Sequence, residues 1–160
     1  MDLSFENLFP SLGAFFRWCS HTPAGAYING LDWAATFIQT VHLLGLTVVL
    51  GSILLVNLRL LGVVGGWSAA QLARTLAPFV TAGLITLLVT GVLLFLSSSM
   101  KYFSNGAFGP KMLLLTLAVV FHYTLYRRAL MKPVASKVAA CVSLMLWFGV
   151  GAAGRAIGWV

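Results

Sequence analysis

The chain has 160 residues, of which 60% are hydrophobic and only 8% are charged, and its mean hydropathy is +0.97. Soluble domains carry roughly 25% charged residues, so this composition excludes a water-soluble globular protein and indicates an integral membrane protein. The net charge of +7 comes from basic residues dispersed between apolar blocks, which excludes the continuous basic stripe of a nucleic-acid-binding protein.

The first predicted element is an amphipathic helix over about residues 4–18. Apolar residues recur there at three- and four-residue spacing, and polar residues occupy the opposite face. This pattern is typical of a helix that lies on the surface of a lipid bilayer. Asp2 and Glu6 stand where a signal peptide would be positively charged, so we expect the mature chain to begin near Met1.

Four apolar blocks follow, each long enough to cross the hydrocarbon of a membrane, which takes roughly 20 residues. The predicted spans are, in chain order, about residues 31–58, 77–99, 110–131 and 137–157. Before the second span, Ser68 and Gln71 predict a capping box at the start of a short helix. The predicted fold class is all-α: one integral membrane domain over residues 1–160, folded as an up-down four-helix bundle with an additional N-terminal interfacial amphipathic helix.

The basic residues predict the orientation of the bundle. Those in the two loops on one side are Arg59, Arg74, Arg127, Arg128, Lys132 and Lys137. The other side carries fewer basic residues and all of the acidic ones. Because loops rich in Lys and Arg face the cytoplasm, we expect both termini to face outward.

Two histidines lie inside the predicted spans, where a polar side chain is costly enough to indicate a function. His42 is eleven residues past Leu31 and His122 is twelve past Pro110, so counting at about 1.5 Å per residue puts both imidazoles at one depth. Helices one and three of an up-down bundle face each other diagonally across its centre, where bundle cofactors bind. The pair therefore predicts one haem b per chain, with His42 and His122 as axial ligands of the iron.

Further side chains complete the predicted haem site. Gly45 lies about one turn beyond His42 and would let a flat macrocycle approach the backbone. Arg155, near the end of the fourth span, would pair with a haem propionate. We expect Asn57 and Arg59 to reach the opposite membrane surface by snorkelling, with no part in the site. The chain contains no C-x-x-C-H sequence, which excludes covalent attachment of a c-type haem.

The histidines also have other interpretations. A buried imidazole can be held by a neighbouring carbonyl, or by Gln39 or Thr40, without any cofactor. Two histidines can instead ligate a metal ion or relay protons, as in a transport or accessory subunit resembling copper-resistance membrane proteins. A structural subunit of a membrane complex is the third alternative, favoured by the surface helix and the glycine-rich faces. We expect His21 to be an interfacial residue and not a ligand.

Three segments carry a resemblance, residues 40–45 (TVHLLG), 58–62 (LRLLG) and 154–157 (GRAI). Over nearly the whole chain they resemble an uncharacterised family of small bacterial four-helix membrane proteins. In bundle size and intramembrane histidines the chain is also similar to the cytochrome b561 type, which is a likeness of architecture alone. The resemblance implies a protein of the bacterial inner membrane that transfers single electrons.

The same resemblance implies partners for electron transfer. Two-haem members of the cytochrome b561 type need four histidine ligands and this chain has three histidines, so at most one bis-histidine haem fits. A quinone, an outer-face redox protein or a homo-oligomeric neighbour would then complete an electron path across the lipid bilayer. We find no paired carboxylates within the spans, no nucleophile with a base and no phosphate loop, so no catalytic residue is predicted beyond the haem.

Overall fold

The computed structural model describes residues 4–126 and 133–158, and within these residues every regular element is a helix. The elements are α1 (Phe5–Leu8), a 3₁₀ turn (Pro10–Leu12), α2 (Gly13–Ser20), α3 (Pro23–Asn29), α4 (Ala34–Leu61), α5 (Ala69–Ser104), α6 (Phe108–Phe121), a π-helix (His122–Tyr126) and α7 (Pro133–Ala156). The prediction of an all-α protein is confirmed for the residues that the structure describes.

Three helices are long and apolar enough to cross a membrane, namely Ala34–Leu61, Ala69–Ser104 and Lys137–Ala156. The segment Phe108–Thr124, which is α6 with the first part of the π-helix, is apolar but shorter. The last residues of the predicted third span, 127–131, lie outside the described residues. So do the basic residues Arg127, Arg128 and Lys132, on which the predicted orientation depends.

The N-terminal region differs from the single surface helix predicted over residues 4–18. It is divided into α1, the 3₁₀ turn and α2, and Pro10 begins the 3₁₀ turn. Proline lacks a backbone N–H and its ring clashes with the preceding helical turn, so it is accepted at the start of a new element and not inside one. Both α2 and α3 pack against α5.

The contact between the N-terminal helices and α5 lies where α5 bends. Ser98 has a non-helical φ of −139° and ψ of 30°. On either side of it, Ser99 Oγ donates to Phe16 O in α2 at 3.0 Å, and Asn29 Nδ2 in α3 donates to Ser97 O at 3.0 Å. Polar side chains therefore attach the N-terminal helices to the bend.

The loop between α4 and α5 is held by local contacts. Gly62 ends α4 with a φ of 84°, a left-handed conformation that suits glycine. Arg59 donates to two carbonyls of the loop, so its side chain braces the loop, whereas the sequence predicted snorkelling. The predicted capping box is confirmed, because Ser68 and Gln71 exchange both of its hydrogen bonds.

Side chains from α4, α5, α6 and α7 meet in one apolar cluster. Its buried members are Val49, Ile53, Val80, Ala118, Trp147 and Val150. Around this cluster α4 packs against α5 and α7, and α6 packs against α7. Large apolar side chains cover the outside, and Leu44, Leu88 and Leu113 are each more than 60% exposed. An apolar exterior of this extent suits a lipid environment.

Helices α4 and α5 run antiparallel and approach closely at Gly45 and Gly83. A Cβ atom built on Gly83 would lie 3.2 Å from Gly45 O and 2.6 Å from Val49 Cγ2, and one built on Gly45 would lie 3.2 Å from Thr86 Cγ2. Small residues at such positions let two helix backbones come together. Thr86 of α5 lies in the direction in which a side chain on Gly45 would point, and a groove between the two helices is lined by Gly45, Gly83 and Thr86.

Candidate functional site

His42 projects from α4 towards α5, where it contacts two adjacent residues. Its Nδ1 lies 2.7 Å from Thr90 Oγ1. Its Cε1 faces Gly91, where an added Cβ would lie 3.5 Å away. Thr90 is buried and the His42 ring is half-buried. The side chain of His42 is therefore oriented by α5 and does not extend freely into lipid.

The hydrogen bond with Thr90 determines which imidazole nitrogen carries the proton. Thr90 Oγ1 also lies 2.6 Å from Thr86 O, and a carbonyl oxygen can only accept. A hydroxyl has a single proton, so Thr90 donates to Thr86 O and accepts from His42 Nδ1–H. Neutral His42 therefore keeps a lone pair on Nε2, which makes no hydrogen bond with a described residue. Histidines that ligate metals are oriented in this way, by a hydrogen bond from the nitrogen that does not bind.

Cationic side chains lie at the same end of the bundle as His42. At this end α5 ends, α6 begins and α7 ends, and we refer to it as the Lys111 end. Lys111, on α6, lies beside Gly154 of α7, since a Cβ built there would be 3.9 Å from Lys111 Nζ. Lys111 is also close enough to interact electrostatically with His42. Arg155 follows Gly154 in α7 and is exposed.

His122 lies in different surroundings, at the first residue of the π-helix. Its ring centroid is 6.5 Å from that of Trp147 on α7, with the two planes nearly perpendicular. The preceding residue, Phe121, packs in a second apolar cluster that contains Val56 of α4 and Ala139 of α7. His122 therefore lies in the contact between α6 and α7, far from the Lys111 end along the bundle axis.

The two histidines are not at one depth. His42 is level with Thr90, whereas the neighbour of His122 packs in the apolar cluster that contains Val56. Val56 lies fourteen residues after His42 on α4, which is about 21 Å at ~1.5 Å per residue. The structure therefore separates the two imidazoles along the bundle axis, whereas the sequence predicted one depth, and the assignment of both as ligands of one iron stays a prediction.

The predicted depths were inaccurate because the residue counts assumed that the predicted helices one and three begin at the same level of the bundle. Lys111, near the start of α6, lies beside Gly154, and Leu50, near the middle of α4, lies beside Gly151. The start of α6 is therefore closer to the middle of α4 than to its beginning. Sequence spacing carries no information on this displacement along the bundle axis.

A buried polar cluster near His122 was missed by the sequence analysis. Asn57 is completely buried on α4, and its Nδ2 donates to Ser143 Oγ on α7 at 3.1 Å. Trp147 lies one helical turn after Ser143 and is also buried. The expectation that Asn57 snorkels is wrong, because its side chain points into the bundle. The available signal was an amide inside an apolar run, where a polar group needs a partner.

The remaining candidate residues do not add a metal site. Among the residues that the structure describes, no group of three or more His, Cys, Asp or Glu side chains is placed to hold a metal ion. His21 caps the end of α2 and is exposed. Cys19 is buried and Cys141 is exposed, and neither thiol forms a disulfide. Burial raises the pKa of the Cys19 thiol above its ordinary value.

Comparison with known proteins places the chain by family alone. Neither the curated proteins nor the solved structures gave a match. One family model matches residues 15–160, which include every long helix and both histidines of the sequence prediction. The chain therefore belongs to the DUF6644 family, a family of unknown function.

Proposed function

We propose that this chain is an integral membrane b-type haem protein that transfers single electrons, with His42 as an axial ligand of the haem iron. The observation that supports this function best is the hydrogen-bond chain from His42 through Thr90 to Thr86 O. It holds the imidazole in the tautomer whose Nε2 has a lone pair available for iron.

The proposed fold is an up-down bundle in which α4, α5, α6 and α7 all cross the bilayer. Side chains of these four helices share one apolar cluster, and α6 continues beyond Phe121 into the π-helix. We place the protein in the bacterial inner membrane with both termini outward, which would bring the Lys111 end to the periplasmic side. Electrons would then pass between a quinone and an outer-face redox protein.

The charges at the Lys111 end suit the propionates of a haem. Lys111 and Arg155 are both at this end, and Lys111 interacts electrostatically with His42. A carboxylate held by a cationic donor makes the stronger, charge-assisted kind of hydrogen bond. The bound haem would supply the one-electron chemistry. The chain itself would bind it through His42, orient that ligand through Thr90 and balance the propionate charge.

The proposal differs from the sequence prediction in the second axial ligand. His122 is several turns away from His42 along the bundle axis, so we assign it no iron-binding role within the same chain. Either a group from a second copy of the chain would then provide a second protein ligand, or His42 would be the single protein ligand of the haem. The two cases differ in stoichiometry and spin state, so spectroscopy distinguishes them.

The test is an optical spectrum of detergent-purified protein from cells with ample haem supply, oxidised in air and then reduced with dithionite. We expect a b-type spectrum that is lost in His42→Ala and retained in His122→Ala, with haem quantified as the pyridine haemochrome. A colourless wild-type protein would contradict the proposal, and bound copper or zinc would then favour the transport alternative. Loss of haem in His122→Ala alone would contradict the assignment to His42.

A further inference from the structure

Two polar atoms deep in the bundle have no hydrogen-bond partner among the described residues. Asn57 Oδ1 on α4 and Trp147 Nε1 on α7 are both buried, and neither makes a hydrogen bond with a described residue. Their side chains are 0% and 2% exposed. Leaving such groups unsatisfied in an apolar interior is costly, so each calls for a physical explanation.

The two atoms are chemically complementary, and Ser143 links the residues that carry them. Asn57 Oδ1 accepts a hydrogen bond, and the indole Nε1–H of Trp147 only donates. Ser143 joins them, because it accepts from Asn57 Nδ2 at 3.1 Å and precedes Trp147 by one helical turn. If the amide of Asn57 were turned over, its other edge would be left in the same position without a protein partner. An unsatisfied polar atom therefore remains whichever way the Asn57 amide is oriented.

We propose that Asn57 and Trp147 bind a buried water molecule between α4 and α7. Water both donates and accepts, so one molecule can donate to Asn57 Oδ1 and accept from Trp147 Nε1. Buried waters usually serve otherwise unsatisfied polar groups of this kind. Val56 and Trp147 are both buried, so bulk solvent does not reach this part of the bundle and a ligand there would be an internal one.

The backbone of α6 gives independent support for a specialised site at this level. The π-helix begins at His122, and its ring lies 6.5 Å from that of Trp147. π-helical turns are uncommon and often occur at functional sites. The proposed water would therefore lie in the same region of the membrane interior as a titratable side chain. This site is separate from His42 and does not depend on haem binding.

Nuclear magnetic resonance can test the proposal on the full-length ¹⁵N-labelled protein in lipid nanodiscs. The indole N–H signal of Trp147 is assigned by its loss in Trp147→Phe. We expect magnetisation transfer from water to this indole proton, in a rotating-frame experiment that separates bound water from chemical exchange. The amide of Val49, which is also completely buried, provides the dry reference and should show no such transfer.

Variants test which group holds the water. Asn57→Leu should reduce the transfer at Trp147 to the level of Val49, whereas Ser99→Ala should leave it unchanged. Ser99 is an equally buried polar residue that bonds to Phe16 O at the other end of the molecule, so it is a matched control. Absence of transfer in the wild-type protein would overturn the proposal without any variant. Transfer that persists in a folded Asn57→Leu protein would also overturn it.

Discussion

His42 Nδ1 lies 2.7 Å from Thr90 Oγ1, and because Thr90 donates its own proton to Thr86 O at 2.6 Å, the imidazole is the donor of this bond. The contact joins α4 to α5 and also sets the chemistry of the ring. An imidazole used only for packing would not need a particular tautomer. A ligand for iron does need one, so the effect of Thr90 on the orientation of His42 can be tested separately from its effect on protein stability.

Removing the hydroxyl of Thr90 should weaken haem binding. Thr90→Val keeps the shape of the side chain but cannot accept from His42 Nδ1, so the ligand loses its orientation. Loss of such a supporting bond typically reduces metal affinity about 10–100-fold. The measurement is a haem titration of apo-protein, with Thr90→Ser as the control that restores the hydroxyl. Equal affinities for the Val variant and the wild type would exclude an orienting role for Thr90.

If the proposed haem is bound beside His42, neutralising Lys111 should lower its reduction potential. A cation near the iron destabilises the ferric state, which carries one more positive charge than the ferrous state. We therefore expect Lys111→Gln to lower the potential by up to about 60 mV, a tenfold change in a one-electron equilibrium. Arg74→Gln, on the exposed opposite end of α5, is the control and should leave the potential unchanged. A redox titration that shows equal shifts for both variants would remove Lys111 from the site.

The close contact of α4 and α5 should not tolerate a methyl group at Gly83. A Cβ there would lie 2.6 Å from Val49 Cγ2, so Gly83→Ala should lower the free energy of unfolding by about 1–3 kcal/mol. Gly51, in α4, has nothing within 4 Å of an added Cβ, and Gly51→Ala should be neutral or slightly stabilising. Thermal unfolding in detergent measures both, and an equal effect of the two changes would argue against this packing.

The thiol of Cys19 should react slowly at neutral pH. Its side chain is buried in α2, which packs against α5, and burial raises its pKa, so less of the reactive thiolate is present than for a free cysteine. In the Cys141→Ser variant, labelling with N-ethylmaleimide should be slow at neutral pH and should accelerate as the pH rises or the protein unfolds. The exposed Cys141, tested in Cys19→Ser, is the reference. Equal rates for the two thiols would show that α2 does not pack as described.

Local features were largely accessible to sequence analysis. Long uncharged blocks predicted helices that suit a membrane, and the spacing of Ser68 and Gln71 predicted a capping box that is present. These features depend on residues within one or two helical turns. The exception was Pro10, which interrupts the predicted surface helix because a proline ring clashes with the preceding turn.

Contacts between helices were not accessible in the same way. An apolar helix can shift along its neighbour by several turns without any change in its own periodicity, so spacing alone could not show that His42 and His122 lie at different depths. Such a shift also decides which polar groups meet, as for Asn57 and Ser143. The sequence by itself therefore determined the helical class and the apolar exterior. The packing of side chains across α4, α5, α6 and α7 decided where each histidine lies and what it contacts.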